Sequence, residues 1–261
     1  MLSAQSLFQE ILDDDASFRL FCSIAASGET QGGWENGRIA ALVPPSRRGL
    51  APKIVRHGAD EEKHGRIFGA LLKKRGLSPV EVPSDTDYTM LLERQGIGLA
   101  HERLKRDEPL SERDIITYLA HSRVTEQRAS EQMRLLLRYF AGHPEIGRAV
   151  KMISNDEDNH LAYCHEELLR LARAGHGRTI QHTLRECAHA EIRVYRDVSL
   201  AVMAHMGVLL HWSRARSALL AAGIHAVYAY ERLIGWRRMV TLEPPARRDA
   251  LGGAATQAEF A

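Results

Sequence analysis

Four times along this chain an apolar helical stripe carries a carboxylate near its middle, and no other feature limits the fold as strongly. Residues three and four apart share one face of a helix. One such face runs Phe18, Cys22, Ala25, Glu29, Gly32, Asn36, Ala40, and a second runs Leu50, Ile54, His57, Glu61, His64, Phe68, Leu71. A third runs Ile115, Leu119, Ser122, Glu126, Ala129, Met133, Leu137, Phe140. The fourth runs Ile146, Val150, Ile153, Glu157, His160, Cys164, Leu168, Leu171. In the second and fourth, a His follows the Glu by one turn. An unpaired carboxylate among such neighbours is costly to bury. Four of them need compensation, and metal cations supply it. The plain alternative places each acid at the edge of its stripe, in water.

Helical spacing dominates the whole chain, and no useful length alternates in the manner of a strand. The breaks fall at Pro44-Pro45, Gly76 to Pro83, Pro109, Gly142-His143-Pro144 and Ala174 to Gly177. Helices are expected over about 4–12 (capped by Ser3), 16–42, 49–75, 85–106, 111–141, 145–174, 178–210 and 213–239. This is an all-α chain. Its first unit, residues 1–174, is expected to be a four-helix bundle of two antiparallel pairs. Residues 175–240 add C-terminal helices packed on it, and 241–261 read as a flexible tail. Between Glu61 and Glu126 there is room for a crossover helix over 85–106, about 33 Å long at about 1.5 Å per residue.

Matched heights argue against the plain alternative. Glu61 lies 32 residues after Glu29, and Glu157 lies 31 after Glu126. Each pair straddles one tight break, so the second Glu of each hairpin returns level with the first. The halves repeat one unit: Glu, turn, then Asp-Glu-x-x-His, as ADEEKHGRIF and NDEDNHLAYC. Glu and His three apart on a helix point the same way and can bind one ion together. Four carboxylates balance two divalent cations, and an oxygen-rich set with imidazole suits iron or manganese.

On these motifs the stretch from about Phe18 to Leu171 resembles the ferritin-like superfamily of non-haem di-iron carboxylate proteins, such as rubrerythrins, bacterioferritins and di-iron oxygenases. The resemblance implies a ferritin-like bundle with Glu29, Glu61, Glu126 and Glu157 as terminal or bridging ligands. His64 and His160 would each bind one metal, and Asp60 and Asp156 would orient the ligand histidines. The cofactor would be two metal ions, Fe/Fe first, with Fe/Mn or Mn/Mn as alternatives. Glu35 is a second candidate for the first-helix ligand, but it lies only 26 residues before Glu61. His57 sits one turn before Glu61. It reads first as a core His with its hydrogen bonds met, and otherwise as an additional ligand. A third Glu-x-x-His, Glu186 to His189 with His182 before it, falls opposite the apolar face Ile180, Leu184, Ala188, Ile192, Tyr195 and reads as solvated. Cys164, Tyr163 and Tyr118 read as packing residues.

The implied activity is an oxidoreductase that uses O2 to hydroxylate, desaturate or N-oxygenate a small organic substrate, fed by an external electron donor. The alternative is a ferroxidase, iron-storage or peroxide-scavenging protein. A tRNA-modifying hydroxylase is a lesser one. A net charge of +2, with basic and acidic residues interleaved, gives little reason to expect nucleic acid. No apolar run reaches membrane-spanning length. Three scattered cysteines and the acidic start LFQEILDDD point to a reduced, cytoplasmic protein, with a homodimer as the expected assembly if any.

Overall fold

The computed structural model describes residues 3–242, and every regular element among them is helical. A short helix α1 (Ala4–Asp13) leads into α2 (Asp15–Leu42), which turns back through Pro45 into α3 (Ala51–Lys74). Two short helices, α4 (Tyr88–Arg94) and α5 (His101–Leu104), precede the second long pair, α6 (Glu112–Phe140) and α7 (Gly147–Leu171). Then come α8 (Gly177–Leu209), α9 (Arg214–Tyr230) and α10 (Arg237–Val240). Most of the expected tail, 243–261, lies outside the described residues. No helix among the described residues is long and apolar enough to cross a membrane.

Local chemistry sets the ends. The Ser3 hydroxyl accepts the Ser6 N–H and opens α1. Ser111 and Asp114 cap α6 reciprocally: the Ser111 hydroxyl accepts the Asp114 N–H, and the Asp114 carboxylate accepts the Ser111 N–H. α3 stops at Gly76, whose φ of +69° lets the N–H groups of Gly76 and Leu77 close onto the carbonyls of Lys73 and Leu72.

The expected crossover helix over 85–106 does not form. Gly96 (φ +70°) ends α4 in the same way that Gly76 ends α3, with the Ile97 N–H on the Leu92 carbonyl. Gly98 (φ +82°) keeps the chain out of the helix again two residues later. A Cβ at Gly98 would stand 2.9 Å from the His121 ring, so this backbone has to pass α6 closely.

α2 and α3 pack backbone to backbone. A Cβ on Gly58 would lie 3.1 Å from the Gly33 carbonyl oxygen, and one on Gly33 would lie 3.2 Å from that of Gly58. α6 and α7 form the second antiparallel pair. Apolar side chains fill both ends of the space between the pairs. Phe18, Phe68, Leu136 and Ile153 belong to one end, and Ile39, Ile54, Leu119 and Leu168 to the other, which continues into Leu184 and Ile192 of α8. The acidic middles of the four stripes fall between these two cores.

α8 is fixed to α6 by a buried ion network. The Arg128 guanidinium donates to both oxygens of Glu191 (2.7 and 2.9 Å) and of Glu231 (2.8 and 2.7 Å) and lies over the Tyr195 ring. The Tyr88 hydroxyl donates to Glu191 as well, at 3.0 Å.

Candidate metal centre

Glu29 comes from α2, Glu61 and His64 from α3, Glu126 from α6, and Glu157 and His160 from α7. Their donor atoms, joined by His57, converge between the four helices. They form two groups, each with its donor atoms within 4.8 Å of one another. One group is Glu29, Glu61, His64 and Glu157; the other is His57, Glu61, Glu126 and His160. Glu61 belongs to both and would be shared if each group held an ion. His64, His160, His57 and Glu157 are almost wholly buried.

His57 is therefore more than a core histidine. Its Nε2 lies 3.1 Å from Glu61 and 3.3 Å from Glu126, and its ring stacks on His160 at 3.9 Å between centroids. Glu35 is elsewhere: its carboxylate pairs with His101 Nε2 at 2.7 Å and takes no part in either group. Glu29 holds the place on α2 that matched heights require.

The two aspartates act crosswise. His64 turns Nδ1 inward and holds Asp156 of the other helix pair with Nε2, at 3.0 Å. His160 likewise turns Nδ1 inward and places Nε2 3.5 Å from Asp60. The Lys63 ammonium joins the two, 2.6 Å from Asp60 and 2.7 Å from Asp156. Each imidazole thus has a carboxylate at its outer nitrogen, hydrogen-bonded at His64 and at 3.5 Å at His160, an arrangement that supports a metal-bound histidine.

The electrostatics describe a set that is over-supplied with negative charge. Burial, followed by the charges of neighbouring carboxylates, pushes the Glu29 and Glu157 carboxyls well above the ordinary range. Burial would raise Glu61 and Glu126 too. Hydrogen bonding and charge from His57, with His160 also bonded to Glu126, outweigh it and hold both low. Burial would lower His160, but the carboxylates of Glu126 and Glu157, 3.6 and 3.4 Å from its Nδ1, push it up to about 11. Protons thus do the neutralising that cations could do instead. Glu157 Oε2 and the inward-facing Nδ1 of His160 are buried without a hydrogen bond, as ligand atoms directed at an ion would be. The residues present fit two divalent ions.

A string of hydroxyls backs His57. The Tyr118 hydroxyl donates to Asn36 Oδ1 at 2.7 Å, Tyr163 meets Tyr118 at 2.7 Å, and His57 Nδ1 meets Tyr163 at 2.7 Å. With the Tyr118 proton committed to Asn36, Tyr163 donates to Tyr118 and His57 Nδ1–H donates to Tyr163. Nε2–H then bonds Glu61, and loss of that proton would leave the Nε2 lone pair for an ion held with Glu61 and Glu126. Tyr163 and Tyr118, expected as packing, have this second role. The signal available was spacing, because Asn36 shares the apolar stripe of Glu29.

The third Glu-x-x-His lies outside the centre. The side chains of His182 and Glu186 are mostly exposed, and His189 packs on Trp236 beside Arg232. Cys164 is a buried free thiol. Sequence reasoning missed the Arg128–Glu191–Glu231 network, although Glu191 continues the spacing of Leu184 and Ala188 toward Tyr195. No family model, curated protein or solved structure matches the chain.

Proposed function

We propose that this chain is a ferritin-like di-metal carboxylate protein that uses O2 to oxidise a small organic substrate. The observation that carries the reading is one buried set of four carboxylates and three imidazoles. It is drawn from four helices, divides into two groups, and shares Glu61 between them. The charge of the four carboxylates matches two divalent cations, and iron fits the donor types, with Fe/Mn or Mn/Mn as the other pairings. Bound there, two iron ions would supply electrons to O2 and deliver its oxidising power to a nearby substrate.

The protein's own residues do the rest. Asp60 and Asp156 fix the rings of His160 and His64, and Tyr163 fixes His57. Glu61, free of the crosswise pairs, can change its mode of attachment as charge changes. The apolar cores on either side exclude water. Among the described residues there is no Cys-x-x-Cys to carry electrons, so an external donor would complete the cycle. Three buried free thiols favour a reducing compartment such as the cytoplasm.

The test is metal analysis of protein purified without added metal, followed by anaerobic Fe(II) loading and exposure to O2. Two ions per chain and one O2 consumed per pair are expected. Fewer than one ion per chain under saturating Fe(II) refutes the reading. Continued oxidation of many iron ions per chain favours the iron-storage alternative.

A further inference from the structure

An apolar chamber begins about one helical turn along the bundle from the candidate metal-binding set, and we propose that it binds an unbranched aliphatic chain as the substrate. This rests on the functional reading above. The chamber is a gap of about 40 Å³ at the end of the four-helix bundle closed by α1. Its inner wall includes Cys22, Phe68, Met133 and Ile153, one residue from each long helix. Phe68 follows His64 by four residues and Ile153 precedes Glu157 by four, so the wall begins about 6 Å along the bundle axis from the ligands. From Ile153 to Ile146 it extends about 10 Å further out. Closed, the gap is well under the roughly 150 Å³ that holds benzene, so it takes an occupant only as α1 moves, and its apolar walls on all four helices suit an aliphatic one. Only the sulfurs of Cys22 and Met133 among its lining side chains have any polar character, so water there would find no strong partner.

α1 is built as a cover. Phe8, Ile11 and Leu12 close the outer end of the chamber. A single residue, Asp14, in extended conformation, joins α1 to α2. On its outer side α1 is held by Glu10, which accepts from Trp212 Nε1 at 3.1 Å and from Arg216 at 2.8 Å. A longer chain enters by lifting α1 on this hinge.

The probe is n-hexane, followed by methyl NMR of the metal-loaded and metal-free protein. Saturable shifts at the Ile153 and Met133 methyls are expected, lost in Ala149→Leu, which fills the gap, while both metal ions are retained. The Glu10→Ala variant should exchange hexane faster. Absence of saturable shifts, or binding of xenon without hexane, overturns the chamber and leaves the metal reading standing. Hexane binding by a chain that takes up no metal overturns the proposal too, because the reactive neighbour would be missing.

A separate face carries a second inference. From Ser217 to Tyr230, α9 has no Asp, Glu, Lys or Arg, and none of its residues is buried. Leu219, Val227 and Tyr230 on it, and Leu233 and Ile234 just after it, are each more than half exposed. A helix apolar all round is normally covered. A large apolar side chain carries about 60–120 Å² of apolar surface. With the alanines between them these residues expose on the order of 500 Å² per chain, as large as the biggest patch expected on a monomer. We infer that this face pairs with a second copy of the chain. Two such faces bury on the order of 1,000 Å², which reaches the lower bound for a specific interface. The face is also self-complementary. In an antiparallel pairing about Ala226, Tyr230 of one copy lies over Ala222 of the other, and Leu219 meets Leu233.

Sedimentation of the full chain should give twice the monomer mass, and Ala226→Glu should halve it with helical circular dichroism unchanged. On oxidation Ala226→Cys should cross-link across the axis. Arg214→Cys, about 36 Å from its copy in this arrangement, should not. A wild-type monomer, a dimer insensitive to Ala226→Glu, or a monomer that sediments with phosphatidylcholine vesicles overturns the inference.

Discussion

Replacing Arg128 with Met should destabilise the protein in a way that depends on pH. Arg128 is the cation for Glu191, which has no exposed surface, and one of two for Glu231, which also meets Arg238. With the guanidinium gone, Glu231 keeps Arg238, but Glu191 keeps only the Tyr88 hydroxyl. Burial already raises the Glu191 carboxyl above its ordinary value even with Arg128 bonded to it. In the variant it protonates. Holding a carboxyl of ordinary pKa 4.5 neutral at pH 7 costs about 3.4 kcal/mol, and at pH 5 about 0.7 kcal/mol. The sign follows from linkage: above pH 4.5 the unfolded chain releases this proton and the folded one keeps it, so the deficit grows as pH rises. At about 2.1 cal/mol/K per residue over 261 residues, the loss in Tm relative to wild type is at most about 6 °C at pH 7 and about 1 °C at pH 5, because wild-type Glu191 is already raised. Differential scanning calorimetry at the two pH values measures it. Adding Glu191→Gln should restore most of the pH 7 loss, since the amide keeps the Tyr88 bond without the charge. An equal deficit at both pH values, or one under about 1 °C at pH 7, would refute the argument.

Three further outcomes are expected. Glu61→Ala should take up neither ion tightly, because that carboxylate serves both groups, whereas Glu126→Ala should retain the ion at Glu29, His64 and Glu157; elemental analysis distinguishes zero from one. Joint removal of the Glu186 and His189 side chains should leave metal content at two per chain, and any loss would place α8 in the centre. Burial pushes the Cys22 and Cys187 thiols up to about 12. Native protein at pH 8 should therefore react with iodoacetamide only as fast as it unfolds, as mass spectrometry can follow.

How much of this could be read beforehand depends on whether a feature is periodic. The four long helices were legible because each keeps an apolar stripe for six or more turns. Glu29, Glu61, Glu126 and Glu157 stood out because each interrupts such a stripe. The crossover was not legible for the opposite reason. Residues 85–106 hold helical residue types, but Gly96 and Gly98 occupy left-handed conformations, and no periodicity shows whether a glycine will use that freedom. Glu35 and Glu29 lie on different stripes of α2 and at different heights, and the decision between them came from the length of the hairpin.

His57 shows what stripe reasoning leaves out. Its position on the inward face with Glu61 was plain from the sequence, but a stripe says where a side chain points and nothing about which nitrogen carries the proton. That depends on Asn36, Tyr118 and Tyr163, which come from three different helices and are brought together only by the packing of both hairpins. The same holds for Asp60 and Asp156, which were expected to steady a histidine but exchange partners across the bundle. First contacts with an ion follow from periodicity within one helix, while the supports that orient them arise between helices. A variant that preserves every stripe but swaps Tyr163 for Phe would therefore look intact in sequence and still leave His57 free to turn its lone pair away from the centre.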